Sequence, residues 1–520
     1  MRFSALGAAA SLWFLGTDCS AAAAARDDER VAISGFSKAI RGDGFLAVPV
    51  GTVQRLVGQK REAKAYEDKL YNMNFFYATD VEIGEPPQKV TVLVDTGSSE
   101  LWVNPDCRTT KTRQQSEQCV KFGKYDPRKS SKSNGPSGKE SLKYGDPSDK
   151  STLTTATILY YTDTLSLGGA EITNQTFGVV SQSQGQSQGI MGLAPDLKAG
   201  FDSNKPYRLL LSTMAEEGVI ASRVYSLDLR HTDSMYGAVI YGGLDKSKFI
   251  GSLEKRPIVK GIKGEYRLAV ELSTVGVSTT TSSSVKVQGR DSNFMLDSGT
   301  TITRMRSSVA LPILQALGAQ DDGEGFFQVS CSLRSSSGSV DFGFGSKTIR
   351  VPLKDFILSL DKTSKMCYVG MAITTDQQIL GDSVLRAGYF VFDWDNKEVH
   401  VAQAADCGKN DIVAVSSGKD AVPAVTGNCK ENDAEFTGGS PVTRTQSESL
   451  PTRAYTTVYT ITSCPQFDLG NCVVGEVTTQ SIPAATETGK ADSGAGLRYT
   501  ALSVLGLLVM ASLTTGYNIW

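Results

Sequence analysis

Two short segments, far apart in the chain, constrain its fold more than anything else in it. The run KVTVLV ends in Asp95, which opens Asp-Thr-Gly-Ser-Ser, and NFML ends in Asp297, which opens Asp-Ser-Gly-Thr-Thr. In each, an apolar β-prone stretch delivers one carboxylate to a strand-to-turn junction. Gly97 and Gly299 let the backbone turn sharply there, and the small hydroxyl residue after each Asp can hydrogen-bond locally. The apolar run in front buries the carboxylate and makes ionising it costly. The three letters alone are weak: Asp492-Ser493-Gly494 repeats them, but only polar and small residues precede that copy.

The two halves echo each other beyond these motifs. FFYATDVEIG leads to VTVLVDTGSSELWV and later to GIMGLAP; EYRLAVELSTVGV leads to FMLDSGTTITRM and later to QILGDSVL. Short runs rich in Val, Tyr, Thr and Phe, separated by Gly, Ser, Asp and Pro, predict a mostly β architecture. The helical period is best at Leu209 to Glu217 and Ser308 to Leu317. A duplicated unit presenting one Asp per copy predicts two related lobes facing a shared cleft. Two carboxylates about 3 Å apart cannot both ionise, so they share a proton and titrate as a pair. The charged one can take a proton from water while the neutral one polarises a carbonyl, which amounts to amide hydrolysis without a covalent intermediate.

Composition removes the main competitors. The chain has 53 basic and 55 acidic side chains, net charge -2, and so lacks the basic excess of a nucleic-acid binder. Its 2 histidines, His231 and His400, and its lack of CxxC pairs argue against a metal site or any cofactor.

The ends read as addresses. Arg2, the apolar run Ala5 to Gly16 and the alanines after it describe a signal peptide over 1–21. Its cleavage would remove Cys19 and leave eight cysteines, an even number that suits disulfides in an oxidising compartment. Residues 22–61 read as a propeptide ending at Lys60-Arg61, where the following Glu-Ala-Lys-Ala looks like a fungal Golgi processing site. At the far end Ala501 to Leu513 is apolar but shorter than the roughly 20 residues of a membrane span. Ser493, with Gly494 and Ala495 small beside it, is a candidate attachment point of a GPI lipid anchor, the exact residue staying open, and 493–520 is the region carrying it and a removed tail. Between lies a Ser/Thr-rich stalk over 406–492, in which TTVYTITSCPQFDLGNCVVGEVTT resembles the Thr-rich stalk motif of fungal cell-surface proteins. Asn174-Gln-Thr176 is a sequon for one N-glycan.

From about Leu70 to Ala405 the chain resembles the pepsin-type aspartic proteases, and among them the fungal GPI-anchored yapsin-like group. The resemblance implies a bilobal, mostly β fold with the active-site cleft between two lobes. It implies a peptidase domain over 62–405, with an N-lobe of 62–245 and a C-lobe of 246–405. It makes Asp95 and Asp297 the catalytic dyad, supported by Ser98, Thr300, Gly97 and Gly299. Tyr144 becomes the flap tyrosine, with Trp102 its hydrogen-bond partner. It pairs Cys107 with Cys119 and Cys331 with Cys367; the pairing of Cys407, Cys429, Cys464 and Cys472 stays open, with Cys407–Cys429 the first choice. The expected product is an acid-active endopeptidase acting on polypeptides. It would be a monomer on the outer face of the plasma membrane or wall, with cell-wall glucan as a second attachment. One departure bears on specificity. Ten Lys or Arg lie between Arg108 and Lys143 against three acidic residues, and a basic loop near a cleft would repel the basic substrates yapsins prefer.

Two rivals remain. Gly185-Gln-Ser187-Gln-Gly189 satisfies the serine-hydrolase pattern G-x-S-x-G, which requires a strand before Ser187 and a helix after it. The other is a catalytically inactive protein of the same fold, used for binding or adhesion at the wall.

Overall fold

The computed structural model describes residues 39–54, 75–147, 152–202, 207–230, 236–279, 282–323, 325–359, 364–431, 455–460 and 477–482. The signal-peptide, Arg61, Ser493, His231, Cys464 and Cys472 readings lie outside these residues. Contacts divide the chain into two units, Met1–Pro441 and Val442–Trp520.

In the first unit, strand Gln88–Asp95 is buried from Val90 onward on both faces. A near-continuous Val/Leu run does this where a strand is covered on both sides. It lies antiparallel to Phe75–Ile83 and parallel to Gly189–Gly192, with Asp95 level with Gly192. The short strand Leu101–Val103 returns antiparallel to Gly189–Gly192. The second half repeats this plan. Asn293–Leu296 is parallel to Gln378–Leu380, with Leu296 level with Leu380, and Thr303–Met305 returns antiparallel to it. The repeat extends to close packing: a Cβ on Gly192 would strike the Ser98 carbonyl, and one on Gly381 the Thr300 carbonyl.

One large sheet joins the halves, because Val224–Asp228 pairs with Tyr236–Tyr241 on one side and with Gly388–Asp393 on the other. The long hairpin Thr154–Leu167/Ala170–Gln184 turns on Gly168-Gly169, at φ 56° and 80°. Both residues there need the left-handed region, which glycine adopts without steric cost. The two predicted helices form over Leu210–Glu216 and Ser307–Ala316, and a third, Arg113–Lys121, was not anticipated because its buried residues are Gln115, Gln118 and Cys119.

Two boundaries drawn from composition differ in the structure. Residues 406–431, assigned to the stalk, pack onto the strands on either side of the boundary between the two lobes. Ile412–Ala414 pairs with Gly243–Asp245, Thr426–Asn428 pairs with Phe249–Pro257, and Cys407 is bonded to Cys429. Val415, Ala421 and Val422 are buried there. Few large apolar residues suffice because the segment covers an existing sheet and needs no core of its own. In the second unit, Tyr455–Thr460 and Val477–Ile482 form an antiparallel ladder inside the Thr-rich motif, where an extended stalk was expected.

The segment read as propeptide also takes part in the sheet. Strand Phe45–Gln54 sits between Tyr236–Tyr241 and Phe75–Ile83, with Leu46, Ala47, Val48 and Val50 buried.

Candidate active site

Each parallel strand pair sets its Asp at the mouth of the turn, and the turn supplies the donors. Asp95 Oδ1 accepts from the Gly97 amide at 2.8 Å, and its Oδ2 accepts from the Ser98 hydroxyl. Asp297 Oδ1 accepts from the Gly299 amide at 2.8 Å, and its Oδ2 from the Thr300 hydroxyl at 2.7 Å. The two carboxyl groups face one another across the paired turns: a Cβ built on Gly299 would meet an Oδ1 of each, Asp95 at 2.5 Å and Asp297 at 3.2 Å. Both residues are buried, 4% and 7% exposed. Burial first, and then the charge of Asp297, push the Asp95 carboxyl well above the ordinary carboxylate range; the Ser98 and Gly97 hydrogen bonds oppose this without cancelling it. Glycine is required at both turns for a local reason: a Cβ on Gly97 would fall against the Asp297 carboxylate, and one on Gly299 against Asp95.

The hydroxyl residues following each Asp do not bond locally, as the sequence suggested, but to the turn of the other half. Thr96 Oγ1 donates to the Leu296 carbonyl at 2.9 Å and accepts from the Ser298 amide at 2.9 Å. Ser298 Oγ donates to the Val94 carbonyl at 2.8 Å and accepts from the Thr96 amide at 3.1 Å. Four reciprocal bonds thus clamp the two Asp-bearing turns together, and both hydroxyl residues are 0% exposed. The clue in the sequence was that both motifs carry a hydroxyl at the same place; what hid its role was that the partner lies in the other half.

A hairpin from the N-terminal half brings Tyr144 near Asp95. Tyr144 ends strand Lys139–Tyr144, level with Thr154 of the partner strand. Trp102 Nε1 donates to its hydroxyl at 2.7 Å, which fixes the ring beside Asp95. Two residues on, Asp146 is buried in an ion pair with Arg304, 2.6 Å, and accepts from Thr374 Oγ1 at 3.1 Å. That tie between the hairpin and the other half was not read from the sequence, because no short-range pattern links Asp146 to Arg304.

The remaining sites fall where they bear less on the chemistry. Cys107 is bonded to Cys119, and Cys331 to Cys367. Asn174 is exposed on strand Ala170–Gln184. In the basic segment, Arg108, Arg113, Arg128 and Lys132 pair with Asp106, Glu117, Asp126 and Glu85 on the surface. Ser187 is buried and donates its hydroxyl to Gln188; strand Gly189–Gly192 follows it where a nucleophile elbow needs a helix, so the serine-hydrolase reading fails.

Residues 76–404 match the family described as eukaryotic aspartyl protease. Among characterised proteins, the chain is 34% identical over 372 residues to candidapepsin of Candida tropicalis, spanning 70% of this chain and 87% of that protein. It is 34% identical over 382 residues to candidapepsin-3 of Candida albicans (71% and 89%), and 33% identical over 405 residues to candidapepsin-1 (73% and 95%). A family match across most of the chain, similarity along nearly the full length of these relatives, and a duplicated fold that brings two buried aspartates face to face lead to one conclusion: this chain belongs to the eukaryotic aspartyl proteases and is an aspartic-type endopeptidase.

Proposed function

We propose that Asp95 and Asp297 are the catalytic dyad and act on polypeptides in acid, outside the cell. The observation that carries this is the close approach of two buried carboxyls, each held by its own turn amide and hydroxyl. One carboxylate removes a proton from water as the water's oxygen attacks the peptide carbonyl; the protonated partner hydrogen-bonds the carbonyl oxygen as charge develops there. The proton then passes to the departing amine. Ser98 and Thr300 orient the two carboxyls, and Tyr144, held by Trp102, covers the bound peptide.

The pair needs one shared proton, and burial raises the pH at which that proton is lost. Hydrolysis of a mixed peptide library by the processed enzyme is therefore expected to be fastest in acid and to fall as pH rises through the second ionisation. A rate that climbs to a plateau at neutral or alkaline pH would reject the dyad.

The finer reading keeps the yapsin-like arrangement: a signal peptide, maturation after Arg61, a glycan at Asn174, and a GPI anchor at Ser493 with cell-wall glucan as a further attachment. Relatives named as secreted aspartic proteases support an extracellular place for it. Cleavage after Arg61 has a specific expected result. Strand Phe45–Gln54 pairs on both sides, and each of its buried Leu and Val side chains contributes roughly 1.5–3 kcal/mol. The cut fragment should therefore co-elute with the peptidase at neutral pH in size-exclusion chromatography. A fragment that elutes alone would show that the strand is held only by its covalent link.

A further inference from the structure

The hairpin formed by strands Gly388–Asp393 and Glu398–Ala404 carries a second cluster of polar groups, none of which belongs to the Asp95–Asp297 site. Its register sets Asp393 opposite Glu398 and Val391 opposite His400. Side chains alternate along a strand, so Asp393, Glu398 and His400 share one face. One ligand atom from each lies within 4.8 Å of the other two, and His400 Nε2 is 3.6 Å from Glu398 Oε2. Ligands about 2.0–2.2 Å from a tetrahedral zinc ion lie roughly 3.3–3.6 Å from one another, so the His400–Glu398 pair already has that spacing and the Asp393 oxygen would draw in to complete it.

A second observation points to a ligand. His400 is 6% exposed, and its Nε2 is buried without a hydrogen-bond partner among the described residues. An orphaned polar nitrogen at that depth costs free energy unless something meets it. The carboxylates are prepared in a complementary way. Asp393 is 1% exposed, and its two oxygens accept from the Asn396 amide at 2.9 Å and side chain at 2.8 Å, which fixes the carboxylate while leaving each oxygen a free lone pair. Glu398 is paired with Lys255 at 2.9 Å, and Lys255 also reaches Asp420 at 3.1 Å. The ammonium supplies positive charge where an ion would sit, and it has another carboxylate to keep when displaced.

We propose that Asp393, Glu398 and His400 form a three-ligand site for a divalent transition cation, zinc by its mixed nitrogen and oxygen donors, with a fourth position open to water. An imidazole nitrogen and two carboxylates suit zinc better than magnesium or calcium, which take oxygen ligands. The ion would fasten the turn of this hairpin, which lies within the joining sheet between Val224–Asp228 and Phe249–Pro257. Too few histidines had argued against any metal in the sequence; one histidine suffices once a hairpin register brings two acids to it, and that register is not legible in Asp-x4-Glu-x-His.

The test uses the full chain, stripped with EDTA and titrated with zinc by calorimetry, with cobalt(II) absorption reporting tetrahedral coordination. One ion per chain is expected, not displaced by millimolar magnesium. Glu398→Gln and His400→Asn should each weaken binding on the order of 100-fold, and Lys255→Met should tighten it. No uptake by the wild-type chain, equal competition by magnesium, or uptake unchanged in both ligand variants would overturn the site. Should His400→Asn fail to fold, Glu398→Gln, whose side chain is partly exposed, decides the matter.

Discussion

Replacing Asp95 by Asn is expected to lower peptide hydrolysis by on the order of 10⁴-fold and, at the same time, to stabilise the fold near neutral pH. The first effect follows from chemistry. An amide neither accepts the proton of the attacking water nor shares one with Asp297, so proton removal is lost while the turn geometry is kept. The second follows from burial. The Asp95 carboxyl has a folded-state pKa raised above its unfolded value of about 3.9, so between those two values the native chain binds the extra proton. Stability from that proton is complete below the unfolded value and drains away as pH rises through the folded one. Asn cannot ionise and is spared that loss. The gain in melting temperature over the wild-type chain should therefore be larger at pH 7 than at pH 4. Asp297→Asn should abolish hydrolysis equally, since each carboxyl has the same set of donors. A variant keeping more than a few per cent of the activity, with cleavage still blocked by nothing aimed at serine, would remove Asp95 from the mechanism. An inactive catalytic fold used only for adhesion is separated from an enzyme by the same assay, because its wild-type chain would cleave nothing to begin with.

The parts of this molecule that could be read in the sequence are those encoded by neighbours in the chain. Val, Leu and Thr before Asp95 made a strand because the side chains that bury it are contiguous. Asp95, Gly97 and Ser98 lie within one turn, and the support of Ser98 for the carboxylate was what the family resemblance implied. What stayed hidden depends on pairs that meet only after folding. Asp146 with Arg304 and Thr96 with Ser298 join the two halves, and His400 meets Asp393 and Glu398 only through a hairpin register. The stalk boundary failed for a related reason. Composition measures whether a segment can bury its own core, and residues 406–431 bury theirs against Gly243–Asp245 and Phe249–Pro257.

The clamp between the halves yields the largest expected loss of stability from a single side chain. Thr96→Val keeps the shape of the residue, so no cavity opens, but it deletes the hydroxyl that donates to the Leu296 carbonyl and accepts from the Ser298 amide. Both bonds are buried, and water cannot replace them without parting the halves. At about 1–3 kcal/mol for each of the two buried groups that lose their partner, the variant should lose about 2–6 kcal/mol, a large share of the 5–15 kcal/mol typical of a folded domain. Ser298→Ala removes the mirror-image pair, to Val94 and Thr96, and should cost about as much. The double variant tells the two contributions apart from a unit. If the four bonds close a ring, breaking one half frees the turns and leaves less for the second change to remove, so the combined loss falls short of the sum. Activity should fall in parallel, because the clamped backbone carries Asp95 and Asp297 on either side of it. Urea midpoints of the three variants measure this, and a Thr96→Val chain within about 0.5 kcal/mol of wild type would mean that the carboxyls are held face to face by the outer sheets and not by the hydroxyls between them.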